Sequence, residues 1–290
     1  MSTAQSAHLS DTFKLGDVTI HRLGYGAMRL TSKGIWGPPS DHGEAIRVLR
    51  RAVALGVDFI DTADSYGPYV NEELIAEALH PYENGLVIAT KAGLVRTGPG
   101  LDHQWPPVGR PEYLRQECEM SLRRLKVDRI ELFQLHRIDP AVPADDQFGL
   151  LRDLQREGKV HHVGLSEVSV REIEAARKIV RIATVQNRYN LQDRGSDPIV
   201  DYCEREGIGF IPWFPMARGK LLEPGGPIVE VARELGATLS QVALAWLLKR
   251  SKAIVPIPGT SSVAHLEENC GAGAVKLTGA QYERLEKLAG

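Results

Sequence analysis

The sequence is short of cysteine, of net charge and of long apolar runs, and each shortage excludes a class of protein. Its 290 residues include three cysteines, Cys118, Cys203 and Cys270, which are isolated and odd in number. They provide neither a disulfide framework nor the spacing of a metal site, so we expect a reducing compartment, the cytoplasm, and no metal. The formal net charge of -2 excludes the strongly basic surface of an electrostatic nucleic-acid binder.

Apolar stretches in the chain are short. None approaches the roughly 18 residues that a membrane-spanning helix needs, and the N-terminal MSTAQSAHLSD contains no apolar signal region. No Gly-x-Gly-x-x-Gly fingerprint follows a strand, which argues against a Rossmann cofactor domain. The sequence therefore predicts a protein that binds neither membranes nor nucleic acid, and it leaves the oligomeric state open.

What the chain does contain is a regular alternation of short apolar strands and amphipathic helices. Its length could hold two average domains, but barrels of alternating strand and helix reach roughly 250 residues as one domain. Because no change in composition divides the chain, we predict a single α/β domain over residues 1–290, a (β/α)8 TIM barrel. Two short strands, 13–15 and 18–21, flank Gly16-Asp17 and predict an N-terminal β-hairpin that closes the bottom of the barrel.

Eight barrel strands follow from the apolar runs and their flanking turn residues. They are predicted at 23–26, 57–61, 86–91, 130–136, 163–166, 185–187, 209–213 and 253–257. Helices are predicted from Ser40 or Asp41 to Leu55, at 71–79, at 111–125, up to Glu157, around Ile173 and Ala176, at 238–250, and around Leu266. Gly24 and Gly26 in the first strand allow either a ligand or a neighbouring strand to approach closely.

Ionisable residues of three kinds end successive strands. The second strand ends on Asp61, the third on Lys91 and the fourth on His136, and Tyr66 follows Asp61 within the segment DTADSYG. Unpaired buried charges cost several kcal/mol, so these residues are poor core packing and are better explained as one site at the barrel mouth. Taken alone, residues 57–67 fit equally well a core strand with a capping Asp and a packing Tyr.

Such a group of side chains supports carbonyl reduction. A tyrosine, with an ordinary pKa of about 10, becomes a better acid beside an ammonium group, because the ammonium favours phenolate and lowers that pKa. Asp61 would keep Lys91 charged, Tyr66 would protonate the oxygen that becomes an alkoxide, and His136 would donate a second hydrogen bond to it. No side chain donates hydride, so the chemistry implies a nicotinamide cofactor.

From about Leu23 to Asn269 the chain resembles the aldo-keto reductase family. The motifs that carry the resemblance occur in the family's order: DTADSYG, the TK ending on Lys91, the QLH ending on His136, GLSE, VQNRYN and IPGTSS. The resemblance implies a catalytic tetrad of Asp61, Tyr66, Lys91 and His136 and the reduction of an aldehyde or ketone. Segments HRIDP and FIPWFP are similar to bacterial members that reduce pyridoxal, so an aromatic aldehyde or pyridoxal is the specific substrate candidate.

The resemblance also implies a set of cofactor residues. Ser166 and Gln186 would hold the nicotinamide carboxamide, and Trp213 would replace the family's usual stacking tyrosine. The remaining positions implied are Pro215 and Arg218 in a loop over the pyrophosphate, together with Lys220, and Gly259, Thr260, Ser261, Ser262, His265 and Asn269 around the start of the last helix. Glu167 departs from the family's usual asparagine and leaves a carboxylate to be paired, with Arg188 as a candidate.

Cofactor preference follows from the residues near the expected 2′-phosphate. Gly259 and His265 stand where relatives carry basic side chains, and neither is a permanent cation. Hydroxyl groups and free amides at a helix start can still hold a phosphate. NADPH is therefore the expected cofactor, preferred by a smaller margin than in relatives with arginine there, and NADH is less favoured.

Two tryptophans are the candidate substrate-binding residues. Trp36 lies in the loop after the first strand, and Trp105 lies in the loop 93–110, which is long for a compact domain and rich in glycine and proline. Trp105 could instead anchor this loop to the barrel. Arg137 and Asp139, just after His136, are expected to pair with each other rather than to contact the ligand.

Other functions fit parts of the same pattern. A Schiff-base lyase would use Lys91 as a nucleophile, but such a lysine works as the neutral amine, which the nearby Asp61 opposes. A redox sensor or regulatory subunit would keep the cofactor and turn over slowly. An alcohol dehydrogenase would run the same site in reverse.

Overall fold

An N-terminal hairpin is the first β-structure of the computed structural model, which describes residues 6–100, 104–215 and 226–288. Strands β1 (Thr12–Leu15) and β2 (Val18–His21) pair antiparallel, with Phe13 opposite Ile20. Gly16 turns the chain with φ +62°, a left-handed conformation that glycine adopts without steric cost. The predicted hairpin is confirmed.

A parallel sheet whose strand order follows the sequence forms the barrel wall. Its seven strands are β3 (Tyr25–Gly26), β4 (Phe59–Asp61), β5 (Val87–Ala92), β6 (Ile130–Leu135), β7 (Val160–Ser166), β8 (Ile182–Arg188) and β9 (Gly209–Trp213). β3 is shorter than the predicted 23–26, whereas β7 and β8 are longer than predicted. Since parallel neighbours share a direction, all seven strands end at the same rim.

The predicted eighth strand closes the ring, although it is not a regular strand. On one side the Phe210 amide donates to the Ala253 carbonyl and the Val255 amide to the Phe210 carbonyl, both at 2.8 Å. On the other side the Gly24 amide donates to the Pro256 carbonyl at 3.0 Å. Pro256 has no N–H to return, so the ladder is interrupted where proline enters it. The sheet nevertheless closes as the TIM-barrel prediction requires.

Helices cover the outside of the barrel. Within the described residues they are α1 (His42–Ala54), α2 (Val70–Leu79), α3 (Pro111–Leu125), α4 (Ala144–Arg156), α5 (Val170–Arg177), α6 (Asp197–Glu206), α7 (Pro227–Leu235), α8 (Leu239–Arg250), α9 (Val263–Cys270) and α10 (Gly279–Glu286). Asp41 caps α1 by accepting from the Glu44 amide at 2.8 Å, as its sequence position predicts. The sequence analysis did not predict α6, α7 or α10. In the described part of the chain, no helix is both long and apolar enough to cross a membrane.

The hairpin fills the end of the barrel opposite the rim. Leu15 and Ile20 pack in one buried cluster with barrel-interior residues such as Phe59, Leu132 and Ile211. Among the described residues this cluster closes the bottom of the barrel, so the site is expected at the opposite rim, where the strands end. Packing at the narrow barrel also explains Gly24, because a Cβ there would lie 2.8 Å from the Phe59 ring.

Candidate active site

A buried ion pair lies at the rim between β4 and β5. The Lys91 Nζ donates to the Asp61 Oδ1 at 2.6 Å and to the Thr62 carbonyl at 2.7 Å, and Lys91 is 0% exposed. The second carboxylate oxygen, Oδ2, accepts from the side-chain amides of Gln186 at 2.8 Å and Gln134 at 3.2 Å. Both charges are therefore satisfied without water. Burial lowers the pKa of the Lys91 ammonium, and the Asp61 carboxylate opposes this by favouring the charged form. The pair therefore works against the neutral lysine that a Schiff-base lyase needs.

Tyr66 and His136 complete the predicted group of four. Tyr66 follows β4 in a turn that its amide closes by donating to the Ala63 carbonyl. The centre of its ring lies 5.2 Å from the Lys91 Nζ and 5.9 Å from the centre of the His136 ring, which it meets edge to face. Both rings are largely buried. The sequence prediction that these side chains meet at one place agrees with their positions.

The acidity of Tyr66 differs from the sequence expectation. Burial raises the pKa of the Tyr66 phenol well above 10, the Asp61 carboxylate raises it further, and Arg137 only partly opposes this. The expected lowering by an ammonium is wrong for this state of the site, because removal from water outweighs the charge of a lysine already paired with Asp61. Tyr66 is consequently a fully protonated phenol at neutral pH.

His136 is neutral for a similar reason. Burial lowers the pKa of its imidazole well below 6.5, and the neighbouring cations Lys91 and Arg137 lower it further. A neutral imidazole carries one N–H, so it can donate one hydrogen bond into the mouth. The Ser65 hydroxyl lies 3.4 Å from its Nδ1.

Arg137 occupies the mouth instead of forming the predicted pair with Asp139. Its Nη1 donates to the His136 carbonyl at 2.6 Å and to the Ser166 hydroxyl at 2.9 Å. Asp139 turns away and accepts from the amides of Gly109 and Ala141, each at 2.8 Å. The predicted pair is wrong because backbone amides of the adjoining loops satisfy the carboxylate.

The two residues implied as carboxamide ligands lie side by side. Ser166 at the end of β7 is directly opposite Gln186 of β8 in the register of the sheet. Each also contacts a member of the charged site: the Ser166 hydroxyl accepts from Arg137, and the Gln186 amide donates to Asp61. The hydroxyl and the amide are therefore held by fixed neighbours.

Trp213 ends β9 and is held by Glu167. The indole Nε1 donates to the Glu167 Oε1 at 2.5 Å, and the Arg188 amide donates to the same oxygen at 2.7 Å. Glu167 has φ +55°, a left-handed conformation that asparagine tolerates better than glutamate. Glu167 is therefore paired with the backbone amide of Arg188 and not with its side chain. The Arg188 guanidinium instead pairs with Asp193 at 2.8 Å.

The residues implied at the pyrophosphate are only partly described. Pro215 is buried beyond β9, whereas Arg218 and Lys220 lie outside the described residues. At the other side of the mouth, Gly259, Ser261 and His265 are exposed, Ser262 is half-buried, and Thr260 and Asn269 are buried. The Ser262 amide donates to the Thr260 hydroxyl at 3.1 Å, and the Ser262 side chain makes no capping bond to α9.

Two charged residues near the start of α9 were missed from the sequence. The Val263 amide donates to the Glu44 carboxylate at 3.0 Å, so an acid already occupies one free amide of this helix. Arg29, which is exposed, lies beside Gly259: a Cβ added to that glycine would be 3.4 Å from the Arg29 Cγ. Neither residue falls in a motif, so sequence spacing gives no signal for them.

Arg96 joins the two tryptophans predicted to bind substrate. Its guanidinium carbon lies 3.9 Å from the centre of the Trp105 ring and 5.4 Å from that of Trp36. The same group donates to the carbonyls of Ile35 and Gly34 at 2.5 and 2.9 Å. Trp36 also forms a parallel bridge with Gly67, next to Tyr66. Arg96 therefore connects the loops that carry Trp36 and Trp105, and Trp36 lies beside Tyr66.

Comparisons with known proteins agree with this architecture. The model of the Aldo/keto reductase family matches residues 22–289. An uncharacterized oxidoreductase of Schizosaccharomyces pombe is 49% identical over 286 residues, which cover 99% of this chain and 92% of that protein. Pyridoxine 4-dehydrogenase of Escherichia coli is 44% identical over 275 residues, covering 93% of this chain and 95% of that protein.

The fold also matches solved structures. An aldo-keto reductase from Klebsiella pneumoniae in complex with NADPH superimposes with a TM-score of 0.81 at 23% identity, over 96% of this chain and 94% of that chain. Identity this low supports the fold alone. The family match over almost the whole chain, and the close relatives, carry the assignment further: this chain belongs to the aldo/keto reductase family of oxidoreductases.

Proposed function

We propose that the chain reduces an aldehyde or ketone to the alcohol with hydride from NADPH, and that Tyr66 is the general acid. The observation that carries the proposal is the convergence of Tyr66, His136 and the buried Lys91–Asp61 pair at the rim of the barrel. Bound NADPH would supply the hydride, and the protein would supply the proton and the hydrogen bonds.

Each member of the group has a definite task in this proposal. The carbonyl oxygen accepts from the Tyr66 hydroxyl and from neutral His136, and Tyr66 transfers its proton as the oxygen becomes an alkoxide. An alkoxide is a much stronger base than a phenolate, so the transfer is favourable even with the raised pKa of Tyr66. Lys91 stabilises the phenolate that remains, and Asp61 keeps Lys91 charged against the cost of burial.

The residues at the adjoining strand ends fit a nicotinamide cofactor. Ser166 and Gln186 offer a hydroxyl and an amide at one level of the sheet, and Trp213 offers a flat face fixed by Glu167. We assign Pro215 and Arg218 to the pyrophosphate side. The preference for NADPH over NADH rests on the hydroxyls and amides of residues 259–262, on His265 and Asn269, and on the neighbouring Arg29.

We propose a flat aromatic aldehyde as the substrate, with pyridoxal as the specific candidate. Trp36 and Trp105, joined by Arg96, provide aromatic surface near Tyr66. The relative from Escherichia coli named for pyridoxine supports a pyridoxal-type substrate. We also propose that the enzyme works in the cytoplasm, where its three buried cysteines stay reduced.

The proposal is tested by mixing the purified chain with NADPH and a panel of carbonyl compounds: pyridoxal, benzaldehyde and an aliphatic aldehyde. The absorbance of NADPH should fall as each carbonyl compound is reduced, and pyridoxal or benzaldehyde should react fastest. Tight NADPH binding without turnover on any member of a broad panel would instead indicate a redox sensor. Borohydride inactivation that depends on the carbonyl compound would indicate a Schiff-base lyase.

A further inference from the structure

Two histidines and an aspartate converge at the closed end of the barrel. His161 and His162 lie at the start of β7, whereas Ser166 at the active-site rim ends the same strand. The His162 Nε2 lies 2.8 Å and the His161 Nε2 lies 3.2 Å from the Oδ1 of Asp17, in the hairpin turn. Four residues of strand span roughly 13 Å, so this cluster is separate from the catalytic site.

His161 is unusual in this cluster because each of its two ring nitrogens faces a carboxylate. Its Nδ1 lies 2.8 Å from a Glu131 carboxylate oxygen while its Nε2 faces Asp17. A neutral imidazole has one N–H and one lone pair, so it can donate to only one of the two carboxylates. If the N–H points to Glu131, a lone pair points to Asp17, so both carboxylates are satisfied only when the second ring nitrogen carries a proton or when a metal cation lies between it and Asp17.

The same arrangement is typical of metal-bound histidine. A metal-ligating imidazole usually donates its other N–H to a carboxylate, which fixes the tautomer and the ring orientation. Here Glu131 is in that position for His161. The ligand atoms of Asp17, His161 and His162 all lie within 4.8 Å of one another. The two imidazole rings stack at 4.0 Å with an angle of 22°, and both Nε2 atoms face the same Asp17 oxygen.

The hairpin turn is built tightly over one of these rings. A Cβ added to Gly16 would lie 2.2 Å from the His162 Cε1, so only glycine leaves room for the imidazole beneath the turn. Asp17 is thereby brought directly above the histidines. The turn sequence Gly16-Asp17 supplies both the space and the third ligand.

We propose that Asp17, His161 and His162 bind one divalent transition-metal ion, with Zn2+ as the best match to two imidazoles and a carboxylate. Three protein ligands leave the fourth tetrahedral position to water. The ion has a structural role, because it ties the hairpin that closes the barrel to the start of β7. Glu131 is a positioning residue that acts through His161.

Calorimetric titration of chelator-treated protein with ZnCl2 tests the proposal without using enzyme activity. One Zn2+ per chain should bind and should raise the midpoint of thermal unfolding, because a ligand that binds only the folded state stabilises it. Asp17→Asn and His162→Gln should each abolish the stoichiometric binding. Glu131→Gln should weaken it about 10- to 100-fold, as loss of a supporting carboxylate does.

A matched control separates the site from ordinary surface histidines. His42, an exposed residue 2.8 Å from Glu77, forms a comparable contact on α1, and His42→Gln should keep wild-type Zn2+ binding. Co2+ added to wild-type protein should give the visible absorption of a tetrahedral site, which is independent of whether any variant folds well. The absence of one-to-one binding by wild type, or an equal loss in His42→Gln, would overturn the proposal and leave a hydrogen-bonded cluster only.

Discussion

Replacing Lys91 by methionine removes one partner of the most deeply buried ion pair of the site. Lys91 is 0% exposed and Asp61 is 3% exposed, and their charged atoms are 2.6 Å apart. Breaking a buried pair in this way costs about 3 to 5 kcal/mol, because the remaining charge is left unpaired. Asp61 keeps the amide hydrogen bonds from Gln134 and Gln186. We therefore expect the lower end, about 3 kcal/mol of lost unfolding free energy.

Removing both charges should restore part of the loss. In the double variant Asp61→Asn, Lys91→Met neither charge of this pair remains, so its loss should be smaller than the sum of the two single losses by about 1 to 3 kcal/mol. Urea unfolding of the cofactor-free proteins at pH 7, followed by tryptophan fluorescence, measures these differences. Because none of the three variants needs to turn over, stability is separated from catalysis.

An exposed ion pair provides the control for this double-mutant cycle. Arg115 and Glu157 are 2.7 Å apart but each is 38% exposed, so Arg115→Met should change stability far less than Lys91→Met. The reasoning is refuted if Lys91→Met loses less than about 1 kcal/mol, or if the single losses simply add. Either result would mean that Asp61 does not hold Lys91 charged at the site.

Three further predictions concern His136, Trp213 and the start of α9. Since burial holds the folded pKa of His136 well below 6.5, the unfolded chain binds an extra proton below that pH. As the pH falls below 6.5, the unfolding free energy of wild type should then decrease by about 1.4 kcal/mol per pH unit more than that of His136→Gln. Glu167→Ala should weaken NADPH binding about fivefold by releasing Trp213, and Glu167→Gln should weaken it less. Glu44→Gln should improve NADPH binding about two- to fivefold relative to NADH.

Each of these predictions has a contradicting outcome. Parallel stability curves for wild type and His136→Gln between pH 7 and 5 would mean that His136 is charged in the folded protein. Equal NADPH dissociation constants for Glu167→Ala and Glu167→Gln would remove the carboxylate from its role in holding Trp213. An unchanged ratio of NADPH to NADH affinity in Glu44→Gln would show that this acid does not influence the phosphate, with Asp41→Asn as the neighbouring control.

The features that could be predicted from the sequence are those that follow from the periodic pattern of the strands. Asp61, Lys91 and His136 each come at the end of an apolar run, and parallel strands bring such ends to one rim, so their meeting follows from topology. The hairpin around Gly16-Asp17 was predictable for an equally local reason. The eighth strand was predicted at the right place, but Pro256 within it interrupts the ladder.

The features that sequence did not predict depend on distant surroundings. Glu44 and Val263 are 219 residues apart, and no local pattern indicates that an acid of α1 meets the start of α9. Arg96 lies between Trp36 and Trp105, which belong to different loops, so local sequence does not indicate that they are in contact. The pKa of Tyr66 was predicted in the wrong direction, because a list of neighbouring charges omits how completely the phenol is removed from water.

The central claim is that Tyr66 protonates the substrate oxygen, and Tyr66→Phe tests it most directly. The ring and its edge contact with His136 are retained, and only the hydroxyl is lost. With the best carbonyl substrate, kcat/KM should fall by at least about 100-fold, while the dissociation constant for NADPH, measured by tryptophan quenching, should stay within about twofold. Retention of kcat/KM within about tenfold of wild type, with unchanged NADPH binding, would contradict the claim.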